Sequence, residues 1–192
     1  MGFLSILSFA HAIVGERVRS GDVVVDATMG NGHDTLFLAG LVGDGGHVYA
    51  FDVQPAALAA TQARLAAAGV PAARYTLLLR DHAELADALP TDARGAVAAA
   101  MFNLGYLPGA DHAVTTQPAT TLRALDAALA TLRVGGALCA VVYPGHPGGA
   151  EEAAAVEAWA AALEPERWQA VTYRFLNPRN PPPYVVAVEK RK

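Results

Sequence analysis

The stretch DATMGNGHDT (26–35) follows the apolar run VVV and sets Gly30 and Gly32 between two acids, Asp26 and Asp34. Two glycines at this spacing let a ligand and the backbone approach closely. The spacing is not the G-x-G-x-x-G of a dinucleotide site. A pyrophosphate would need the N–H groups and dipole of the following helix for itself, and Asp34 puts negative charge at that helix start. A carboxylate there suits a cationic ligand group, such as the amino group in the methionine part of S-adenosylmethionine. It can equally cap its own helix, and the two roles are compatible. Asn31 completes the loop, and His33 either touches the ligand or begins the helix.

Further chemistry-bearing residues follow the next apolar runs. Asp52, with Gln54 two residues on, can accept hydrogen bonds from both hydroxyls of a ribose, which points to an adenosine ligand and no further. Asp81 and His82 fall where an adenine edge would lie, although Asp81 also reads as a helix cap. The loop FNLGYLPG (102–109) contains Asn103-Leu104-Gly105-Tyr106, which resembles the Asn-Pro-Pro-Tyr motif of amino-methylating methyltransferases. That resemblance implies that the Asn103 side chain and the Leu104 carbonyl accept hydrogen bonds from a target NH2, while Tyr106 stacks on the base. Leu104 and Gly105 replace both prolines of the motif. His146, in the Gly/Pro-rich YPGHPGGAEE (143–152), is either a turn histidine or an imidazole able to contact substrate or take a proton. Glu151 and Glu152 suit the N-terminal dipole of the helix they begin.

What is missing narrows the chemistry. Methylation at carbon 5 of a pyrimidine needs a thiolate nucleophile, and neither loop has a cysteine. The single Cys139 lies in the apolar run ALCAVVY and is expected as a buried thiol. It cannot form an intramolecular disulfide, which fits a reducing cytoplasm. The six histidines are scattered, with no zinc-like grouping, so no metal is expected. Neither a P-loop nor a G-x-S-x-G elbow occurs.

At 192 residues, 53% apolar and 17% charged, the chain suits one domain with a substantial core rather than a disordered protein. A net charge of −4 gives no global footprint for nucleic acid. Arg174, Arg179, Lys190, Arg191 and Lys192 form either a local basic face or an ordinary solvated end. No apolar run approaches the roughly 18–20 residues of a membrane span. The start, MGFLSILSFAHAIVGERVRSGD, lacks the basic region and cleavage site of a signal peptide and is read as a first helix. Its Met-Gly invites a myristoylation reading, but no second membrane anchor is nearby.

The elements that must position these residues alternate. Nearly continuous apolar runs at 22–27, 47–53, 74–79, 96–103 and 136–144 suit parallel strands covered on both faces. Ala- and Leu-rich segments at 34–42, 55–68, 118–133 and 150–163 have helical spacing, with Pro55 and Pro118 at first helical positions and Thr115-Thr116 able to cap the latter. This predicts an α/β fold of right-handed crossovers. The last two strand-like runs, 167–177 and 182–192, are too close for a crossover helix and must pair antiparallel. The expected fold is therefore a Rossmann-like, seven-stranded, mostly parallel sheet with a C-terminal antiparallel hairpin and helices on both faces. It resembles the sheet of class I S-adenosylmethionine-dependent methyltransferases. In such a sheet, ligands sit beyond the carboxyl ends of the strands, where the candidate ligand residues of the first five runs fall.

Taken together, DATMGNGHDTLFLA, FDVQ, MFNLGYLPG, YPGHPGG and NPRNPPPYVVAVEK resemble a family of small bacterial methyltransferases labelled rRNA methylases. Members are known as tRNA 5-(aminomethyl)-2-thiouridine methyltransferases. The resemblance implies S-adenosylmethionine as cofactor, held by Gly30 to Asp34, Asp52 and Gln54 with His82 flanking adenine. It further implies methyl transfer to the aminomethyl nitrogen of a wobble uridine, an anticodon stem-loop as partner, and a homodimer. Asp111, His112 or His146 can take the proton, and Arg174 and Arg179 can meet phosphates. Within methyltransferases the alternative is another amine acceptor, in rRNA or a small molecule; rivals from other classes are a non-catalytic adenosine-binding or scaffold protein and a nicotinamide-dependent oxidoreductase. The latter would normally show a third glycine near Thr35 and no terminal hairpin.

Overall fold

The structure, a computed structural model, describes residues 2–105, 115–178 and 180–192. Each apolar run becomes a strand and each Ala/Leu segment a helix. The chain begins with α1 (Ile6–Arg17), capped by Ser5, whose hydroxyl oxygen accepts from Ser8 N–H. There follow β1 (Val23–Asp26), α2 (His33–Val42), β2 (His47–Asp52), α3 (Pro55–Ala67), β3 (Tyr75–Leu79), the short α4 (Leu85–Ala88) and β4 (Val97–Leu104). Then come α5 (Pro118–Thr131), β5 (Leu132–Val142), α6 (Gly149–Ala161), β6 (Trp168–Tyr173) and β7 (Tyr184–Lys190).

The strands form one seven-stranded sheet in the order β3-β2-β1-β4-β5-β7-β6. Pairings from β3 through β5 are parallel, while β7 runs antiparallel to both β5 and β6. The hairpin thus folds back on itself: the last strand in sequence fills the gap beside β5, and β6 becomes the edge. Strand order reverses between β1 and β4, which is where an open α/β sheet places its ligand crevice.

Two apolar layers cover the sheet. One packs Ile6, Ala10, Val14, Leu38, Val42 and Leu65 of α1, α2 and α3 against Val24, Val48 and Cys139. The other packs Leu85, Leu125, Leu129, Val156 and Ala160 of α4, α5 and α6 against Phe51, Phe102 and Leu138. Fully burying a side chain of this size is worth about 1.5–3 kcal/mol, so the layers set where α1 and α2 lie over the sheet. Burial on both faces also explains why β4 carries Ala98, Ala99 and Ala100, which are all fully buried.

Strand β6 ends at Tyr173, short of the expected 177, and the junction of α5 with β5 differs from the sequence expectation. The helix expected over 118–133 ends at Thr131, and β5 starts at Leu132 rather than 136. The register with β4 shifts there, Leu132 facing Val97 but Ala137 facing Ala99. Gly136 passes so close that a Cβ would lie 2.9 Å from the Val97 carbonyl oxygen, so the bulge requires a glycine. Thr115-Thr116 does not cap α5 either: Gln117 holds the cap position without a side-chain bond, and Thr116 points elsewhere. Among the described residues no helix is long and apolar enough to cross a membrane.

Candidate active site

A cavity of about 640 Å³ opens beyond the carboxyl ends of β1, β2, β3 and β4. Its floor is the glycine loop. Ala27 N–H donates to the Met101 carbonyl (2.8 Å) and Met29 N–H to that of Phe51 (2.8 Å), tying the loop to β4 and β2. Gly30 and Gly32 take positive φ of 49° and 76°. A Cβ on Gly32 would sit 2.8 Å from the Thr61 backbone, so this glycine serves the approach of α3 and the left-handed turn together. The helix grips the loop from above: Thr61 Oγ1 donates to the Gly30 carbonyl (3.0 Å) and Arg64 Nε to that of Asn31 (2.6 Å). Arg64 also meets His33 Nε2 at 3.0 Å.

The acids divide by role. Asp52 lies in the cavity wall, accepting Gly30 N–H at Oδ2 (3.0 Å) and Gln54 N–H at Oδ1 (2.9 Å). Each of its oxygens keeps lone pairs for a diol. Asp81 caps the turn that follows, accepting Ala83 N–H (2.8 Å), and also lines the cavity. Asp26 is fully buried beneath the loop, outside the cavity wall. It accepts from Thr35 Oγ1 (2.6 Å) and Thr28 N–H (3.2 Å), so it shapes the loop from below. Burial, joined by the charge of Asp34, raises its carboxyl from an ordinary value to about 7.

Asp34 does not cap α2, because left-handed Gly32 holds the cap position with no side-chain bond. The carboxylate is instead shared. Its Oδ1 accepts from His11 Nε2 (2.7 Å) and its Oδ2 from Asn103 Nδ2 (2.5 Å). Asn103 is anchored a second time, its backbone N–H donating to Thr28 Oγ1 (2.7 Å). With the amide nitrogen committed to Asp34, the Asn103 carbonyl oxygen is the group left to accept.

Of the residues singled out by sequence, Gly30, Asn31, His33, Asp34, Asp52, Gln54, Asp81, His82 and Asn103 line one cavity. Gly32 and Asp26 act from behind it, and the Leu104 side chain is buried in the core. His82 is nine-tenths buried, and burial lowers its pKa against the pull of Asp81, so it stands neutral at the cavity edge. His146 lies outside the wall, packed against Gly105, with Nδ1 donating to the Pro147 carbonyl (2.9 Å). Tyr106, Asp111, His112 and Arg179 lie outside the described residues. Of the basic C-terminal residues, Arg174 pairs with Glu157 (3.0 Å) over the Tyr184 ring, and Lys190 donates to the Leu132 carbonyl (2.8 Å).

Sequence reasoning missed His11 and Glu152. His11 reaches the site from α1, its ring stacked 3.9 Å from that of Phe37. The hint was one polar ring in the apolar SFAHAIV. Glu152, expected as a dipole partner, is 1% exposed and accepts from Thr116 Oγ1 (2.7 Å) and Thr121 Oγ1 (2.6 Å). It thereby fixes the segment that returns from the 102–109 loop.

A family model described as "Putative rRNA methylase" matches residues 48–189. A protein of Arabidopsis thaliana, the chloroplastic tRNA (mnm(5)s(2)U34)-methyltransferase, is 39% identical over 190 residues, which span 95% of this chain and 68% of the plant protein. A solved structure from Clostridium thermocellum, described in the same words as the family, is 37% identical with a TM-score of 0.94, over 99% of this chain and 100% of that one. A Streptococcus mutans protein, described as a methyltransferase and solved in complex with SAH, is 36% identical with a TM-score of 0.88, over 98% of this chain and 99% of its own. An O-methyltransferase from Thermotoga maritima, 18% identical with a TM-score of 0.69 over 100% of this chain and 68% of its own, shares the fold. Matched in its family model over most of its length and in these relatives nearly end to end, the chain belongs to the rRNA methylase family and has the class I methyltransferase fold.

Proposed function

We propose that this protein transfers a methyl group from S-adenosylmethionine to the aminomethyl nitrogen of 5-aminomethyl-2-thiouridine at the wobble position of tRNA. The observation that carries the reading is the Asp34–Asn103 bond. An ionised carboxylate only accepts hydrogen bonds, so Asn103 presents its NH2 to Asp34, which leaves its carbonyl oxygen as the uncommitted end of an amide that lines the cavity. An uncommitted acceptor on a residue lining the cavity suits a methyl-accepting atom that carries hydrogens, an amine. The name of the Arabidopsis relative supports the same substrate.

The cavity suits the cofactor by the chemistry of its walls. Asp34, Asp52 and Asp81 place carboxylates along it, which favours a ligand of hydroxyl, amino and sulfonium groups over a pyrophosphate. Asp52 and Gln54 would take the ribose, the 30–34 loop the methionine part, and Asp81 and His82 the adenine. Bound there, S-adenosylmethionine supplies an electrophilic methyl group. The chain's own contribution is positional: Asn103 directs the nitrogen lone pair. A wobble base in an anticodon loop can be splayed out and stacked, and we assign that stacking to Tyr106. A homodimer belongs to the same proposal, read by light scattering as twice the 19.9 kDa chain mass.

The deciding experiment incubates the protein and S-adenosylmethionine with tRNA carrying 5-aminomethyl-2-thiouridine, followed by nucleoside mass spectrometry. Conversion to the methylaminomethyl nucleoside is expected. Methylation of rRNA or a small amine instead, with this nucleoside untouched, would overturn the substrate. Calorimetric binding of NAD without binding of S-adenosylmethionine would overturn the reaction class.

A further inference from the structure

We infer that His11 is the proton acceptor for the amine, an inference that rests on the methyl transfer proposed above. An alkylamine of ordinary basicity, with a pKa of about 10, enters a neutral solution as ammonium. One proton must leave before its nitrogen has a lone pair to give. The two side chains bonded to Asp34 sit on the two oxygens of one carboxylate, so the His11 imidazole stands beside the Asn103 amide that orients the amine.

The tautomer follows from the partner. Asp34 can only accept, so His11 Nε2 carries the hydrogen and Nδ1 carries the lone pair. The ring is held in plane by Phe37, with an interplanar angle of 8°, and it lines the cavity. In the step, an N–H bond of the ammonium breaks, its electrons stay on nitrogen, and a new N–H bond forms at Nδ1. The imidazolium then lies against the Asp34 carboxylate. The freed lone pair forms the N–C bond while the electrons of the S–C bond stay on sulfur. The methylated amine leaves as an ammonium, and His11 returns its proton to water.

Other titratable groups at the site are placed or tuned for different work. Tyr143, from the loop after β5, has its phenol pKa raised by burial and by Asp34, which disfavours the phenolate a base would need. His82 edges against Phe102 and is desolvated, and His33 is bonded to Arg64. Asp34 from α2 faces His11 directly; Asp26 from β1, and Tyr143 and Cys139 at β5, feel the same carboxylate. The turns of α1 on either side of His11, 8–14, bring no second titratable group.

The test compares wild type with His11→Phe, which keeps a ring over Phe37, and with His11→Gln. Turnover on the aminomethyl tRNA is measured from pH 6 to 10, beside calorimetric affinity for S-adenosylmethionine. Loss of a general base predicts a fall of about 10²–10⁴-fold near pH 7. The deficit should narrow as pH approaches the amine's own pKa, with cofactor affinity within a few-fold of wild type. A His11→Phe rate close to wild type at pH 7, or a deficit equal at every pH, overturns the inference. If neither variant folds, ¹⁵N NMR of the wild-type imidazole decides. Conversion of His11 to imidazolium on binding the amine-bearing RNA is expected, and an unchanged ring overturns it. Failure of the substrate reading would appear as a wild type inert on this tRNA. The same comparison is then made on whichever amine the wild type methylates.

Discussion

A single carboxylate, Asp34, holds an imidazole from α1 and an amide from β4, so three segments far apart in sequence meet at one acid. The division of labour between binding and turnover should be visible at Asn103. An Asn103→Ala variant leaves Asp52, Gln54 and the glycine loop untouched. Calorimetry should find near-normal affinity for S-adenosylmethionine, while kcat/KM on the RNA falls by about 10²-fold, as for other preorganised polar groups at a reacting centre. Unchanged turnover would remove Asn103 from the mechanism. Asp26 gives a pH prediction. Its folded carboxyl titrates near 7, above an ordinary value of 3.8. From about pH 4 to 7 the folded state holds a proton that the unfolded chain has lost, so this group costs stability as pH rises through that window. Asp26→Asn cannot ionise, so its melting temperature should gain on wild type between pH 5 and 7.5; a constant difference would refute the shift. The acids were legible because an open parallel sheet forces ligand groups to the strand ends. His11 was not, because its contact with Asp34 depends on how α1 docks over the sheet, which no local spacing encodes.

Elements are tied together by buried polar groups as much as by apolar layers. Glu152, in the first turn of α6, accepts from Thr121 in α5 and Thr116 ahead of it. Thr116 N–H in turn donates to the Gly105 carbonyl (2.9 Å), closing the two ends of the loop that carries the acceptor motif. Removing the carboxylate strands the buried Thr121 hydroxyl, a cost of about 1–3 kcal/mol, and releases half-buried Thr116. Glu152→Ala should therefore lower the thermal midpoint by several degrees and reduce turnover more than cofactor affinity. Glu152→Gln, which still accepts one hydroxyl, should lie between; equal loss of cofactor binding and turnover would show that the loop is not what Glu152 supports. Strand and helix identities were readable from their periods. The start of β5 was not, because LRVGG looks like a helix end until the bulge against Val97 pairs it with β4.

At the scale of the whole molecule, the antiparallel pairing of the terminal hairpin followed from a connection too short for a helix. Its order did not follow, because only the packing of Val185, Val186 and Val188 into the two cores places β7 rather than β6 beside β5. That insertion encloses the single cysteine. Cys139 is paired across β5 with Met101 on one side and Ala187 on the other, and it is fully buried. Burial pushes its thiol pKa up to about 12, so the reactive thiolate is scarce in the folded state. Reaching it requires separation of β4, β5 and β7 together with loss of the α1 layer, which amounts to unfolding the sheet. Labelling by a disulfide reagent should be negligible in buffer and should rise with urea in parallel with the loss of circular dichroism. Saturation with S-adenosylhomocysteine at 100 times its Kd should slow labelling by about 100-fold, the ligand stabilising the closed state by about 2.7 kcal/mol. Rapid labelling in buffer, indifferent to urea and ligand, would mean that the β5–β7 seam opens locally and that the hairpin is not part of the cooperative core.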